Sequence, residues 1–94
     1  MERHPDSSQS FIPMAAARWL IVVTPDGGDG RPDMASARAF LASGREGVTF
    51  RRNVWHHPFT VLDEPADFAV FMWKHGSPKD DEFVEVVPFE VVLA

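Results

Sequence analysis

The chain has no cysteine among its 94 residues, which excludes a disulfide framework, a zinc ribbon and a cysteine nucleophile. Positive charge is also scarce: 9 Lys and Arg face 14 Asp and Glu, for a formal net charge of -5. Binding driven by phosphate neutralisation is disfavoured, so no nucleic-acid partner is expected. No apolar run approaches the roughly 20 residues that cross a bilayer. The polar stretch from Met1 to Ser10 does not read as a signal peptide. A cytoplasmic chain with no membrane partner is the expectation. Internal repeats and low-complexity linkers are lacking. Gly27-Gly28-Asp29-Gly30 follows an apolar run but has neither the P-loop lysine nor the Rossmann spacing, and it reads as a surface turn. Ser7, Ser8 and Ser10 sit in no nucleophile elbow.

What is present is 45% hydrophobic residues, eight prolines and six glycines. Trp19-Leu20-Ile21-Val22-Val23-Thr24 is a continuous apolar, β-branched run ending in turn residues, and it predicts a buried strand. Extended segments are predicted at 9–13, with Pro13 at an edge or end, and at 47–51, 54–62 (broken at Pro58), 67–73, 83–87 and 89–93. One helix is predicted over 33–43, with Pro32 in a first-turn position and Gly44 as its C-terminal cap. Met34, Ala37, Phe40 and Leu41 would then form its packing face. Together these elements predict a single mainly-β domain over 1–94, a sheet, sandwich or barrel with one helical insertion. Lys79-Asp80-Asp81-Glu82 reads as a solvated turn.

Four histidines are the candidates for chemistry. His56 and His57 are adjacent, so in a strand they point to opposite faces and only one can look into a given pocket. Asn53, a residue that tolerates left-handed turns, stands three positions before His56 where a strand begins. Strand alternation favours His56, whereas a bulge at Pro58 would favour His57. Glu2 and His4 are two apart and share a face if extended, with Gln9 five residues on. Arg3 has the opposite parity and is expected on the surface. Arg52 shares parity with His56, and Lys74 is a second cation available to an anionic ligand. Asp67 would either buttress a histidine or merely cap a strand. Trp19, Trp55 and Trp73 read as core or interface, and His75 as a turn residue.

Glu2-x-His4-(x4)-Gln9 resembles the first cupin motif, with Glu2 in place of a histidine and Gln9 in place of a carboxylate. Asn53-x-x-His56 resembles the core of the second, with Asn in the glycine role. A sharper resemblance is carried by Glu2-Arg3-His4-Pro5 and Gln9-Ser10-Phe11-Ile12-Pro13-Met14. It continues through Arg31-Pro32-Asp33, Arg38-Ala39-Phe40, Gly47-Val48, Arg52-Asn53-Val54-Trp55-His56-His57-Pro58 and Asp67-Phe68. In order and identity these blocks are similar to those of the ureidoglycolate lyase family.

That resemblance implies a cupin-like, partial double-stranded β-barrel or jelly roll with one short α-helix, and the splitting of ureidoglycolate into glyoxylate and urea in allantoin and purine catabolism. For that reaction the candidate catalytic groups are His56 or Glu2 as base and His4 as the complementary acid or a metal ligand; the candidate substrate-binding groups are Gln9 as an orienting hydrogen-bond partner, Arg52 or Lys74 for the carboxylate, and His57. If a metal is bound, a divalent ion such as Ni²⁺ or Mn²⁺ would take His4, His56, Glu2 and Gln9 as ligands. The family's chains have an N-terminal half upstream of the first block, so an N-terminally shortened chain is expected here. Sheet edges left uncovered would favour a homodimer or strand-exchanged oligomer. The alternative is a truncated or degenerate cupin that binds a small hydroxy acid, or only oligomerises, without turnover.

Overall fold

The computed structural model describes residues 1–14, 18–58, 60–63, 65–72 and 80–92. Among these, nine short strands and one 3-10 turn make up the regular structure. The strands are β1 (Glu2–Arg3), β2 (Gln9–Pro13), β3 (Trp19–Thr24), β4 (Arg38–Ala42), β5 (Val48–Phe50), β6 (Trp55–His56), β7 (Thr60–Val61), β8 (Phe68–Met72) and β9 (Glu82–Phe83). They form two antiparallel sheets. The larger runs β4-β3-β6-β1-β9, with β7 also paired to β3; the smaller runs β5-β2-β8.

Strand β3 supplies the frame because it is covered on both faces, as a run in which every residue but Thr24 is apolar requires. Trp19 and Ile21 join Phe11, Ala42 and Phe50 in the core between the sheets, with Val23, Val48 and Phe68 packed against them. Val22 and Thr24 are buried on the other face, where Thr24 lies directly opposite Trp55. The Phe11 and Phe50 rings meet edge to face at 5.7 Å, and Trp19 meets Phe68 the same way at 4.9 Å. Aromatic edges of this kind add to the area that the rings bury. Pro13 ends β2, where its missing N–H leaves the ladder intact.

The helix predicted over 33–43 is not formed. A 3-10 turn covers Met34–Ser36, and Arg38–Ala42 is strand β4, paired with β3 from Trp19↔Ala42 to Val23↔Arg38. An isolated helix of about eleven residues is marginal in water. A buried strand with an open edge gains a hydrogen-bond ladder from any extended neighbour. The helical stripe was ambiguous for the same reason: Phe40 and Ala42 also alternate, and they lie opposite Ile21 and Trp19. The C-terminal strands are a second difference. Only Glu82–Phe83 pairs, and residues 84–92 carry no ladder, with Val87 and Val92 exposed. Pairing there stops one step beyond β9, where the Val84 N–H donates to the Met1 carbonyl and the Met1 amine to the Val84 carbonyl.

The packing makes a direct prediction. Trp19→Ala should cost about 3–5 kcal/mol in chemical denaturation, as expected for a fully buried aromatic. Met14→Ala, at an exposed position, should stay within about 0.5 kcal/mol of the parent. Equal losses at both would contradict this placement of the core.

Candidate functional site

Strand β1 lies between β6 and β9, with Glu2 directly opposite both His56 and Phe83. Because directly opposed residues share a face, Glu2 and His56 project to the same side of the larger sheet. His56 is opposite Val23, which packs on the core, so that side faces the smaller sheet. His4 follows Glu2 by two residues, and its carbonyl accepts the Asn53 N–H at 2.9 Å. Asn53 has φ 66°, a left-handed conformation that Asn tolerates, and it turns the chain into β6. Two short segments far apart in the chain are thereby fixed against each other.

Glu2, His4 and His56 converge on one point, with their donor atoms all within 4.8 Å of one another. Glu2 Oε1 stands 3.8 Å from His4 Nε2 and 3.8 Å from His56 Nε2. The two imidazoles are 5.4 Å apart between centroids, and both are buried. Phe50 stacks flat on His56 at 4.5 Å. Gln9, at the start of β2 on the facing sheet, brings Oε1 to 3.1 Å from His4 Nε2. Its amide nitrogen donates to Met72 Sδ at 3.7 Å. His56 Nε2 is the one buried side-chain nitrogen or oxygen among the described residues that has no hydrogen-bond partner.

The environment of His56 decides its protonation. Burial, reinforced by the neighbouring His4, pushes its pKa down to about 4. The imidazole is therefore neutral near pH 7, with both a lone pair and a donor on its ring. Two imidazole nitrogens and a carboxylate oxygen form a donor set suited to a borderline divalent cation. The unpartnered Nε2 fits that use, since an unsatisfied buried nitrogen is otherwise a cost.

Several residues singled out in the sequence lie elsewhere. His57 is exposed; its Nδ1 is 2.7 Å from the Pro58 carbonyl and its ring meets Phe89 edge to face. It lines a groove of about 1140 Å³ that also includes Met1, Glu2, Phe83 and Val86. Arg52 is exposed in the turn at 51–53. Lys74, Trp73 and His75 lie outside the described residues. Asp67 is exposed just before β8, and its carbonyl accepts the Met14 N–H; it does not buttress a histidine.

Two expectations are reversed. Arg3 is not a surface residue: its guanidinium lies 4.5 Å above the Trp55 ring and pairs with Asp26 at 2.9 Å and Glu82 at 2.7 Å. The opposite face of the sheet is itself covered, so parity alone does not expose it. The Trp55 indole N–H donates to Asp26 at 3.1 Å and, more than the flanking backbone N–H groups and Arg3, holds that carboxyl below its ordinary pKa. Of the stretch Lys79-Asp80-Asp81-Glu82, Lys79 lies outside the described residues, and 80–82 is not a solvated turn either. Asp80 is buried and hydrogen-bonded, Asp81 Oδ1 is 2.9 Å from His4 Nδ1, and Glu82 lies in β9. Sequence reading missed Asp80 and Asp81 because nothing local separates a charge run that folds back on a histidine from one that faces water.

The depressed pKa of His56 has a stability consequence. Between about 4 and the ordinary histidine value near 6.5, the unfolded chain binds a proton that the folded chain does not. Stability therefore falls as pH drops through that window, and this contribution is complete above it. The melting temperature of His56→Gln should change less between pH 6.5 and 4 than that of the parent, measured by thermal denaturation at matched salt. Parallel curves would show that His56 is not buried in its neutral form.

Comparison with known proteins gives the family of the chain. The model of the ureidoglycolate lyase family matches residues 1–92. A ureidoglycolate lyase of Burkholderia cepacia is 46% identical over 95 aligned positions, covering 100% of this chain and 50% of its own. One from Rhizobium etli is 44% identical over 91, covering 97% of this chain and 53% of its own. One from Brucella ovis is 50% identical over 70, covering 74% and 40%. The chain spans about half the length of the curated relatives it matches. The match takes in Glu2, His4, Gln9 and His56 together, and on that extent and identity the chain belongs to the ureidoglycolate lyase family.

Proposed function

We propose that this chain carries the reacting centre of a ureidoglycolate lyase, releasing urea from ureidoglycolate and leaving glyoxylate. The observation that carries the proposal is the unpartnered His56 Nε2, buried beside Glu2 and His4. In ureidoglycolate one carbon bears a hydroxyl, a carboxylate and the ureido nitrogen. Removing the hydroxyl proton lets the oxygen's electrons form the glyoxylate carbonyl as the C–N bond breaks. The electron pair of that bond leaves on the urea nitrogen, which takes up a proton. No water and no oxidant are consumed.

The residues divide these tasks by their places in the cluster. His56, neutral, takes the hydroxyl proton on Nε2, and the Glu2 carboxylate 3.8 Å away stabilises the positive ring that results. His4 donates from Nε2 to the departing nitrogen, and Gln9 orients that ring edge from the facing sheet. Arg52 or Lys74 is proposed to hold the substrate carboxylate, and His57 to line the approach through the groove that Glu2 borders. In the alternative case of a bound metal, Glu2, His4, His56 and Gln9 would hold a divalent ion such as Ni²⁺ or Mn²⁺, and the ion would supply positive charge to polarise the substrate's oxygens in place of the proton transfers assigned to the two histidines.

The wider reading follows from the same family. The two sheets are proposed to form part of a cupin barrel, in a cytoplasmic enzyme. A homodimer is proposed because Phe40 and Leu41 on β4, and Val70 and Phe71 on β8, are exposed on strands that end their sheets.

Purified protein given ureidoglycolate should release urea and glyoxylate in equal amounts. His56→Ala should lower kcat at least about 100-fold. Sedimentation of the same sample should give the mass of two chains. A folded protein that releases neither product, with or without added Ni²⁺ or Mn²⁺, would instead favour a binding-only cupin.

A further inference from the structure

The smaller sheet meets the cluster with one polar and one apolar side chain. Gln9 and Phe50 are directly opposite in the ladder of β2 and β5, so they project to the same side. Gln9 reaches His4, with its Oε1 3.1 Å from Nε2. Phe50 lies flat on His56, with 4.5 Å between centroids and an interplanar angle of 1°. The Phe11 ring meets Phe50 edge to face at 5.7 Å, and only 5% of Phe50 is exposed. Its ring is a fixed wall on the imidazole whose Nε2 has no partner. Phe50 also borders a second space. An apolar cavity of about 460 Å³ opens between β4 and β5, lined by Ile21, Val23, Phe40, Val48 and Val54 together with Phe50. Val23 is opposite His56 in the larger sheet, so cavity and cluster adjoin, with Phe50 on their boundary.

We infer that Phe50 sets substrate size at the reacting carbon, restricting the centre to ureido adducts of an aldehyde acid and excluding those of a keto acid. The inference rests on the proposed lyase reading. Three of the four groups on that carbon are polar: the hydroxyl, the carboxylate and the ureido nitrogen. His56 takes the hydroxyl, and the polar side at His4 and Gln9 takes the ureido nitrogen. The fourth group, hydrogen in ureidoglycolate, is the apolar one, and Phe50 is the apolar surface on His56. A methyl group in its place would press on a ring backed by Phe11, and packed side chains would have to move. Removing the Phe50 ring would join the cavity to the centre and give that methyl an apolar place.

The test compares ureidoglycolate with 2-hydroxy-2-ureidopropanoate, whose methyl replaces that hydrogen and which breaks by the same steps into pyruvate and urea. The parent should favour ureidoglycolate about 100-fold in kcat/KM, within the range that one methyl group is worth in a tight pocket. Phe50→Ala should cut that preference at least about tenfold. Phe50→Leu should cut it by less, and it keeps enough buried volume to carry the test if Phe50→Ala does not fold. Phe40→Ala, at the exposed end of the same cavity, should keep the parent's preference. An unchanged preference in the folded Phe50 variants, or an equal fall in Phe40→Ala, overturns the inference. Calorimetry with glycolate and the two lactate enantiomers makes the same comparison without turnover. One enantiomer should bind the parent at least about tenfold more weakly than glycolate, and Phe50→Ala should remove the difference. The two readings fail separately: a lactate shift without turnover supports the wall but removes the lyase, whereas turnover with an unmoved preference does the reverse. A protein that binds neither hydroxy acid and releases no urea overturns both.

Discussion

Every feature of the candidate site depends on the register of one two-residue strand. β1 sits between β6 and β9 so that Glu2 faces His56 on one side and Phe83 on the other, while Arg3 faces Glu82. A slip of one residue would exchange the faces. Arg3 would then enter the space beside His56, and Glu2 would leave it. The register is held from the far side of the sheet, where Arg3 lies over Trp55 and bridges Asp26 and Glu82. An ion network on one face thus sets the chemistry on the other. The network uses partly buried groups with good geometry, which is where ion pairs specify structure more than they stabilise it.

The site carries the cost of its position. Two imidazoles and a carboxylate are gathered in a half-apolar space beneath Phe50, and one ring nitrogen is left without a partner. Burial resolves the resulting strain by holding His56 neutral. Such a group weakens the fold as acid is added, and it is poised to accept a proton or an ion. Perturbed titration combined with an unsatisfied buried atom marks a functional centre more specifically than either feature alone.

The sequence revealed which residues gather in the cluster better than it revealed their surroundings. Glu2, His4, Gln9 and His56 were legible because motif spacing survives folding: two residues apart in a strand share a face, and Asn53 announces the turn before β6. The strand at 19–24 was legible from its β-branched run. The region 33–43 was misread because an alanine-containing stretch satisfies both periods, and only the open edge of β3 decides between them. Arg3, Asp80 and Asp81 were misread for a common reason. Charged residues default to solvent in one-dimensional reasoning, and their partners here are 23 to 79 residues away. The C-terminal valines show the converse, since apolar β-branched residues form no ladder without a neighbour.

The central claim is that Glu2, His4 and His56 act as one centre on a small hydroxy acid. A crystal structure with glycolate, which has the hydroxyl and carboxylate but no nitrogen to expel, tests it most directly. The glycolate hydroxyl should lie within about 3.2 Å of His56 Nε2, in hydrogen-bonding range of the lone pair. Glycolate seated instead against His57 and Phe89 in the outer groove, with the cluster untouched, would contradict it.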